Sequence, residues 1–370
     1  MGGLRIGIIS TYGVKCGIST YVEHLIEGLL KLPGNEIFVF AEDNKGNSRN
    51  EFSSKVEFVR CFHRYEEDEE RILKALEEVS PDVLHVQHEY SIFRNFEMLE
   101  RIHEKFEGRT VMTLHTINLE KKFDLHGFAD YYVVHNEPSK EYLVENGVPE
   151  ERVRIIHHGT LIAPDMPKDE ARRKLNLPLN RKIILSHAFF EKKKNIDLIL
   201  QAVAELRDEL PLYYVHAGGV HPYGSPPERH QLYYERCLKL VEELGLEDIV
   251  RFDARFIPDE ELFVYLNSAD VIMVVEENKH PLLSASGTIH TVAKRPVVAS
   301  DIPNFCEFPE GCFYKVDLSV ESLKKAIREL LTDERLAESL VRNMMEYARR
   351  TSWDEIAKEH LKLYERVLSS

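Results

Sequence analysis

The feature that most constrains this chain is a regular alternation of apolar, strand-length runs with segments of helical periodicity. The alternation begins with LRIGIIS at 4–10, a helical pattern from Ile18 to Leu30, and EIFVFA at 36–41. Further strand-length runs lie at 57–60, 83–87, 109–115, 131–135 and 153–158. A strand, helix, strand order places successive strands parallel with helices on both faces. The pattern therefore predicts an α/β fold built on a doubly wound parallel sheet.

The alternation is interrupted at 160–181, a charged stretch with three prolines, and restarts with KIILSHA at 182–188. Strands are then predicted at 212–218, 249–252, 270–275 and 296–300, with helices at 195–207, 228–244 and 259–268 between them. We predict Rossmann-like domains at 1–165 and 166–350. A C-terminal helix, 351–370, is expected to pack on the first domain through Trp353. Two such sheets facing each other leave a cleft at their strand ends, where ligands bind.

Composition excludes several classes of protein. The chain has 370 residues, of which 43% are hydrophobic and 30% charged, and no apolar run approaches the roughly 20 residues of a membrane span. A net charge of −15 argues against nucleic-acid binding. Five scattered cysteines without a CxxC pair, and an N-terminus unlike a signal peptide, favour the cytoplasm. Peripheral contact with a membrane stays open.

The turn YGVKCGISTY at 12–21 is the first candidate site. Gly17 stands at a predicted helix start, where backbone N–H groups can approach a phosphate without an intervening side chain. The spacing is not GxGxxG, and glycine's preference for turns by itself favours an ordinary strand-to-helix turn.

Polar side chains follow three predicted strands of the first half, which is the second candidate. They are Gln87, His88, Glu89 and Tyr90 after the strand at 83–87, His115 in TLHT, and His135 in VVHNE. The carboxyl ends of parallel strands meet at one sheet edge, where hydrogen-bonding groups would bind a polyhydroxylated ligand. A single histidine of this kind is usually structural, but three in series make a binding site as reasonable as a structural role.

Two segments of the second half could bind phosphate. Lys194, in EKKKN, is expected to be exposed at the positive end of a helix, where it could pair with a phosphate, although such a charge run is more often a solvated face. Ser284, Ser286, Gly287 and Thr288 read as the capped start of a short helix through Ile289 to Ala293, with or without a ligand. The sequence holds no Asp-x-Asp pair and no cluster with metal-ligand spacing, which favours anion recognition without a metal or other cofactor.

The same residues resemble the family 4 retaining nucleotide-sugar glycosyltransferases of the GT-B fold. The resemblance rests on CGISTY, PDVLHVQHEYSIF, TLHT, IIHHG, the KKKN segment, RPVVASDIPNFCEF and SWDEIAKEHL, and is closest to a mannosyltransferase-like branch. It implies that Lys194 holds the donor diphosphate, that Gly17 faces the donor phosphates and that His115 lines the transferred sugar. Gln87, His88, Glu89, Tyr90 and His135 would then belong to the acceptor side.

Two positions depart from that family's pattern. Phe189 stands where an arginine usually accompanies the lysine. The usual glutamate pair is broken, which leaves Glu276 or Glu277 as its remnant on the donor side. The resemblance implies metal-independent transfer of a hexose, mannose or glucose, from a nucleoside diphosphate sugar to a carbohydrate or lipid hydroxyl. The alternatives are a GT-B nucleotide-sugar epimerase, a phosphorylase, and a catalytically silent sugar-nucleotide-binding partner.

Overall fold

The computed structural model describes residues 3–14, 16–43, 56–64, 66, 68–93, 96–117, 127–220, 228–278, 282 and 287–370. These residues divide into two compact units. Unit 1 comprises the described residues up to Gly159 together with Leu282, Gly287 and the segment Thr351–Ser370. Unit 2 comprises those from Thr160 to Asn278 and from Thr288 to Arg350. No helix in the described ranges is both long and apolar enough to cross a bilayer.

Unit 1 is built on one parallel sheet of seven strands. They are β1 (Arg5–Ser10), β2 (Glu36–Glu42), β3 (Val56–Phe62), β4 (Val83–His88), β5 (Arg109–Leu114), β6 (Tyr131–Val134) and β7 (Val153–Ile155), in the spatial order β3-β2-β1-β4-β5-β6-β7. The strand order reverses at β1, which pairs with β2 on one side and β4 on the other. The near-complete burial of the central strands explains their continuous apolar runs.

The described helices of unit 1 cover this sheet. They are α1 (Gly17–Leu30), α2 (Glu69–Val79), α3 (Phe96–Lys105), α4 (Glu137–Glu145) and, from the C-terminal segment, α11 (Trp353–Ser369). Helix α11 packs along α1, with the Trp353 ring 4.9 Å from that of Tyr21. A Cβ added at Gly28 of α1 would lie 2.7 Å from Ala357 Cβ and from the Trp353 carbonyl. The two helices are therefore in backbone contact at that glycine.

Unit 2 contains a second parallel sheet, of six strands. They are β9 (Lys182–His187), β10 (Leu212–Ala217), β11 (Val250–Asp253), β12 (Val271–Val274), β14 (Val297–Ser300) and β15 (Tyr314–Val316), in the order β11-β10-β9-β12-β14-β15. A separate ribbon pairs β8 (Leu161–Ile162) with β13 (Thr291–Val292). The strand order of the large sheet reverses at β9, which is where a doubly wound sheet forms a ligand crevice.

Six described helices complete unit 2: α5 (Lys168–Lys174), α6 (Ile196–Leu206), α7 (Glu228–Glu243), α8 (Asp259–Ser268), α9 (Val320–Thr332) and α10 (Glu334–Arg350). The predicted short helix through Ile289 to Ala293 is wrong. Gly287–His290 is a turn, and Thr291–Val292 is strand β13. Backbone N–H groups of Leu161 and Ala163 donate to the carbonyls of His290 and Val292, so pairing with a distant segment overrides the local helical pattern.

Candidate functional site

In unit 1, the turn between β1 and α1 presents an uncapped helix start. The Ser19 hydroxyl accepts from the Val14 N–H at 3.2 Å and donates to Glu23 Oε1 at 2.9 Å, which fixes the turn from inside. Cys16 at the N-cap position accepts no side-chain capping bond. Gly17 is exposed, and a Cβ built there would meet nothing within 4 Å. The fold itself therefore does not require glycine at this position, and its first-turn N–H groups can receive an anion.

The strand ends of the same sheet bring Gln87, His115 and His135 together. His115 Nε2 donates to Gln87 Oε1 at 2.9 Å, and His115 Nδ1 lies 3.4 Å from His135 Nε2. His135 Nδ1 donates to the Ile156 carbonyl at 2.9 Å. The predicted proximity of these strand-end side chains within unit 1 is therefore observed, while their binding roles stay predictions.

This cluster continues into the sheet as a chain of hydrogen bonds. Gln87 Nε2 donates to His85 Nε2 at 3.1 Å, and His85 Nδ1 lies 2.7 Å from the Tyr364 hydroxyl. Burial, together with the neighbouring His135, holds the pKa of His115 well below its ordinary value, so the ring is neutral near pH 7. A neutral ring that donates through Nε2 leaves Nδ1 as an acceptor, which fixes the tautomer of His115.

Aromatic rings enclose these imidazoles. The Tyr21 ring contacts His115 edge-on at 4.8 Å, and it also lies 5.2 Å from His158 and 4.9 Å from Trp353. A Cβ on Gly159 would fall 2.2 Å from the Trp353 ring, so only glycine fits between the histidine segment and the indole. The sequence reasoning identified Trp353 as an anchor but missed Tyr21 as a wall of this cluster. The helical spacing of Tyr21 with Val22 and Leu25 gave only the signal of a core residue.

The remaining acceptor candidates of unit 1 have local contacts. His88 is buried, with its ring 4.4 Å from Phe96 and 5.0 Å from Tyr90. Glu89 accepts from the Ser91 N–H at 2.6 Å, and its carbonyl accepts from Ile92. The Glu89 carboxylate therefore stabilises the turn after β4. This structural role is additional to the predicted role in acceptor binding.

In unit 2, Lys194 and Glu276 form a buried ion pair at the carboxyl ends of β9 and β12. Lys194 Nζ donates to Glu276 Oε1 at 2.5 Å, and the two side chains are only 11% and 8% exposed. The expectation that Lys194 is exposed is therefore wrong. Its pairing with Glu276 leaves two of the three ammonium N–H donors for a ligand.

The backbone around this pair is tightly organised. Asn195 adopts a left-handed conformation with φ of +48°, and its side chain donates to the Val275 carbonyl at 3.3 Å. The Glu277 N–H donates to the Lys193 carbonyl at 2.7 Å. The Glu276 N–H donates to Ser300 Oγ at the end of β14. Three strand ends are thus joined around Lys194, as an anion site on a rigid scaffold requires.

His187 is a site candidate that the sequence reasoning missed. It is the last residue of β9 and is 6% exposed. Its Nε2 has no hydrogen-bond partner among the described residues. Burial and the nearby Lys194 charge lower its pKa to about 4. The signal that could have found it is the one used in the first half of the chain, a histidine at the carboxyl end of a predicted parallel strand.

The last predicted donor segment is only partly described, because Ser284 and Ser286 lie outside the described residues. Gly287 is exposed, and a Cβ there would meet nothing within 4 Å. The Thr291 N–H donates to the Thr288 carbonyl at 3.4 Å. The proposed phosphate contacts of this segment stay predictions.

One group of side chains in the described ranges has the spacing of a metal site, which the sequence reasoning did not foresee. It consists of His63, Glu66 and Asp68. Arg71 lies within this group, with its guanidinium 3.1 Å from His63 Nδ1 and 3.6 Å from Asp68. The arginine supplies the positive charge that these carboxylates need, so we read the group as a surface ion-pair network.

Comparison with known proteins decides the family. Residues 16–162 match the family described as Glycosyltransferase Family 4, and residues 167–351 match the one described as Glycosyl transferases group 1. The chain belongs to the group 1 glycosyl transferases. The family expected from the sequence is thereby confirmed.

Relatives of known name include a D-inositol 3-phosphate glycosyltransferase from Corynebacterium urealyticum. It is 28% identical over 76% of this chain and 65% of its own length. A protein of the same name from Streptomyces bingchenggensis is 26% identical over 64% of this chain and 53% of its own. The match thus spans less than two thirds of these relatives.

Solved structures extend the likeness over nearly the whole chain. Sucrose-phosphate synthase from Thermosynechococcus elongatus superimposes with a TM-score of 0.76 at 21% identity, covering 99% of both chains. Anabaena HepE in complex with UDP and glucose gives 0.73 at 14% identity, over 98% of this group 1 chain and 99% of its own. The predicted GT-B fold is confirmed.

Proposed function

We propose that this group 1 glycosyl transferase moves a hexose from a nucleoside diphosphate sugar to an acceptor hydroxyl with retention of anomeric configuration. The observation that carries the proposal is the buried Lys194–Glu276 pair at the strand-order reversal of unit 2. Family membership supports it, as do the solved structures of similar fold that contain UDP with glucose or UDP-glucose.

Cleavage of the anomeric bond leaves an oxocarbenium-like sugar and a diphosphate, so the main demand on the protein is stabilisation of the leaving group. Lys194 would meet that demand with the two N–H donors that Glu276 leaves available. His187, whose buried Nε2 lacks a partner in the described ranges, would donate to a phosphate oxygen as a neutral ring. We propose that no metal ion takes part, because lysine and backbone N–H groups supply the positive potential.

The acceptor is proposed to bind in unit 1, at the Gln87, His115 and His135 cluster. Imidazole and amide groups both donate and accept hydrogen bonds, which suits sugar or inositol hydroxyls. The names of the curated relatives make an inositol phosphate the first acceptor to try. Glucose, mannose and a glycolipid complete the panel, since a carbohydrate or lipid acceptor follows from the family resemblance.

The test is a matrix of UDP-, GDP- and ADP-linked glucose and mannose against these acceptors, with product detected by mass spectrometry. Transfer to an acceptor with the donor's anomeric configuration supports the proposal. Isomerised donor, or cleavage that depends on phosphate, would favour the epimerase or phosphorylase alternative. Nucleotide binding without turnover for any pair would favour a silent binding partner, an alternative motivated by Phe189 at the usual arginine position.

A further inference from the structure

A second cleft lies within unit 2, with a volume of about 810 Å³. One wall is the amino-terminal edge of the large sheet, where Lys182 begins β9, Asp270 directly precedes β12 and Pro296 directly precedes β14. Parallel strands all begin at the same edge, so this cleft is at the opposite edge from Lys194 and Glu276. It is therefore separate from the proposed donor site, and its size falls in the range of small-molecule pockets.

The other wall of this cleft combines apolar side chains with charged ones. It is made by the end of α9 and one face of α10, where Leu330, Val341 and Met345 are buried or half-buried. Val341 and Met345 are four residues apart and thus share a helix face. Arg342 in the middle of α10 and Arg349 in its last turn also line the cleft.

The charge of the lining is positive although the chain carries a net charge of −15. Six cationic and three carboxylate side chains line it. Asp270 accepts from Arg172 at 2.5 Å, from Lys168 at 2.6 Å and from the Ile183 N–H at 2.7 Å. Burial acts to raise the pKa of Asp270, but these three donors outweigh it and hold the pKa below its usual range. Its negative charge is therefore already neutralised.

Four of the cations have no carboxylate within 4.0 Å in the described part of the chain: Lys182, Arg295, Arg342 and Arg349. The Arg295 guanidinium donates only to the Lys294 and Asn267 carbonyls, and its Nε has no partner among the described atoms. Burial lowers the pKa of Arg295, as expected for a desolvated and unneutralised charge. The negative end of the α10 dipole stabilises the unpaired charge of Arg349 in the last turn of that helix. This helix end does not explain the unpaired charges of Lys182 and Arg295 at the sheet edge.

We infer that this cleft binds a small soluble organic phosphate. The phosphate would lie among Lys182, Arg295, Arg342 and Arg349, and the carbon portion would pack against Leu330, Val341 and Met345. A phosphate ester fits both walls, since it joins a compact dianion to a less polar body. The inference does not depend on the proposed transferase activity.

The test is isothermal titration of the full chain with hexyl phosphate, inorganic phosphate and hexanol as probes. Hexyl phosphate is expected to bind more tightly than inorganic phosphate, and hexanol not measurably. Arg342→Gln and Arg349→Gln should each weaken hexyl phosphate by about tenfold, since each removes a charge-assisted contact. Both side chains are exposed, so folding should be unaffected.

The matched control is Lys325→Gln, which removes an exposed cation from α9 outside the cleft lining. Its affinity for hexyl phosphate should match that of the parent chain. If Lys325→Gln weakened hexyl phosphate binding as much as Arg342→Gln does, the weakening would be an effect of net charge, and the inference would be overturned. If Lys194→Gln abolished binding of hexyl phosphate and Arg342→Gln bound it normally, the ligand would lie at the opposite edge of the sheet, and the inference would be overturned. Absence of binding by any phosphate probe would also overturn it.

A lipid source of the same chemistry is tested with vesicles that contain phosphatidate. If the ligand is a soluble organic phosphate, hexyl phosphate binds, and the chain does not sediment with these vesicles at the same phosphate concentration. Sedimentation that is abolished by Arg342→Gln, without binding of hexyl phosphate, would replace the soluble ligand by a membrane surface.

Discussion

At the scale of single residues, Lys194 and Glu276 illustrate how a buried charge constrains its partner. Glu276 is 8% exposed, so removal of the ammonium leaves a carboxylate with little access to water. Breaking such a pair costs stability even where the pair itself adds little. An exposed lysine, as expected from the sequence, would contribute little to stability, and the structure changes that expectation.

Lys194→Ala should therefore lower turnover on the order of 100-fold and also destabilise unit 2 by about 3 kcal/mol. The double variant Lys194→Ala/Glu276→Gln should recover most of the stability and none of the activity. Chemical denaturation and steady-state kinetics on the three chains measure both quantities. Lys192→Ala, an exposed neighbour, is the control. Equal loss of stability in the single and double variants would contradict the pairing argument.

His115→Ala should impair transfer on the order of 100-fold while nucleotide affinity stays near normal, because the family resemblance implies that this residue lines the transferred sugar and not the base. Gln87→Met keeps the volume but removes the acceptor of the His115 Nε2–H, so it should lower transfer by a smaller factor. Kinetics and nucleotide titration separate the two effects. A parallel fall in nucleotide affinity would place His115 elsewhere.

At the scale of elements, the packing of α1 against α11 depends on Gly28. Glycine to alanine inside a helix ordinarily stabilises a protein by about 1 kcal/mol. At Gly28 the added Cβ would lie 2.7 Å from the Trp353 carbonyl, which belongs to backbone and cannot rotate away. The steric cost therefore exceeds the gain in helix propensity.

Gly28→Ala is expected to lower the stability of unit 1 by about 1–3 kcal/mol, as overpacking of a core does. The measurement is a urea unfolding curve followed by Trp353 fluorescence, since this indole lies at the contact. Gly17→Ala, where the new Cβ meets nothing within 4 Å, should leave the curve unchanged or slightly raised. A stabilised Gly28→Ala chain would show that α1 and α11 are not in backbone contact.

At the scale of the whole molecule, buried neutral histidines couple folding to pH. Burial lowers the pKa of His360 in unit 1, and of His187 in unit 2, to about 4 in each case. An unfolded histidine takes up its proton near pH 6.5, before the folded one does. The stability that each contributes is thus fully present above pH 6.5 and is lost as the pH falls towards 4.

The melting temperature is therefore expected to fall steadily between pH 6.5 and 4.5. His360→Leu should flatten this dependence by up to about 1.4 kcal/mol per pH unit, which is the slope for one proton. Among the described residues, His360 donates to the Ile356 carbonyl of its own helix alone, so leucine removes no hydrogen bond to another described element. Urea titrations at four pH values measure the slope, and an unchanged slope would contradict the buried neutral ring.

Ligand binding acts on the whole molecule in the same thermodynamic way. A nucleoside diphosphate at about a hundred times its dissociation constant should add roughly 2.7 kcal/mol to the stability of the unit that binds it. The melting shift should be equal in EDTA and in magnesium, and smaller in Lys194→Ala and in Gly287→Val. A shift that appears only with magnesium or manganese would contradict metal-free binding. Absence of a melting shift with uridine, guanosine and adenosine diphosphate alike would count against the transferase proposal.

The sequence by itself determined the two parallel sheets and the family. Buried parallel strands must be continuous apolar runs, and runs such as 83–87 and 182–188 can be recognised locally. The strand-end positions of His115 and His135 followed from the same runs, and Lys194 was expected at the start of the helix that follows the run at 182–188. The bounds of β4 and α8 agree with the predicted ones to within one residue.

Only the tertiary structure decided which of these residues meet. The partner of Lys194 is 82 positions away, and Tyr364, 279 positions from His85, completes the hydrogen-bond chain behind Gln87. The segment after Gly287 has a helical pattern but pairs as a strand with Leu161–Ile162. Local periodicity records which side of an element is buried. It carries no information on the distant segment that covers that side, and that segment sets the ion pairs, tautomers and pKa values of the candidate site.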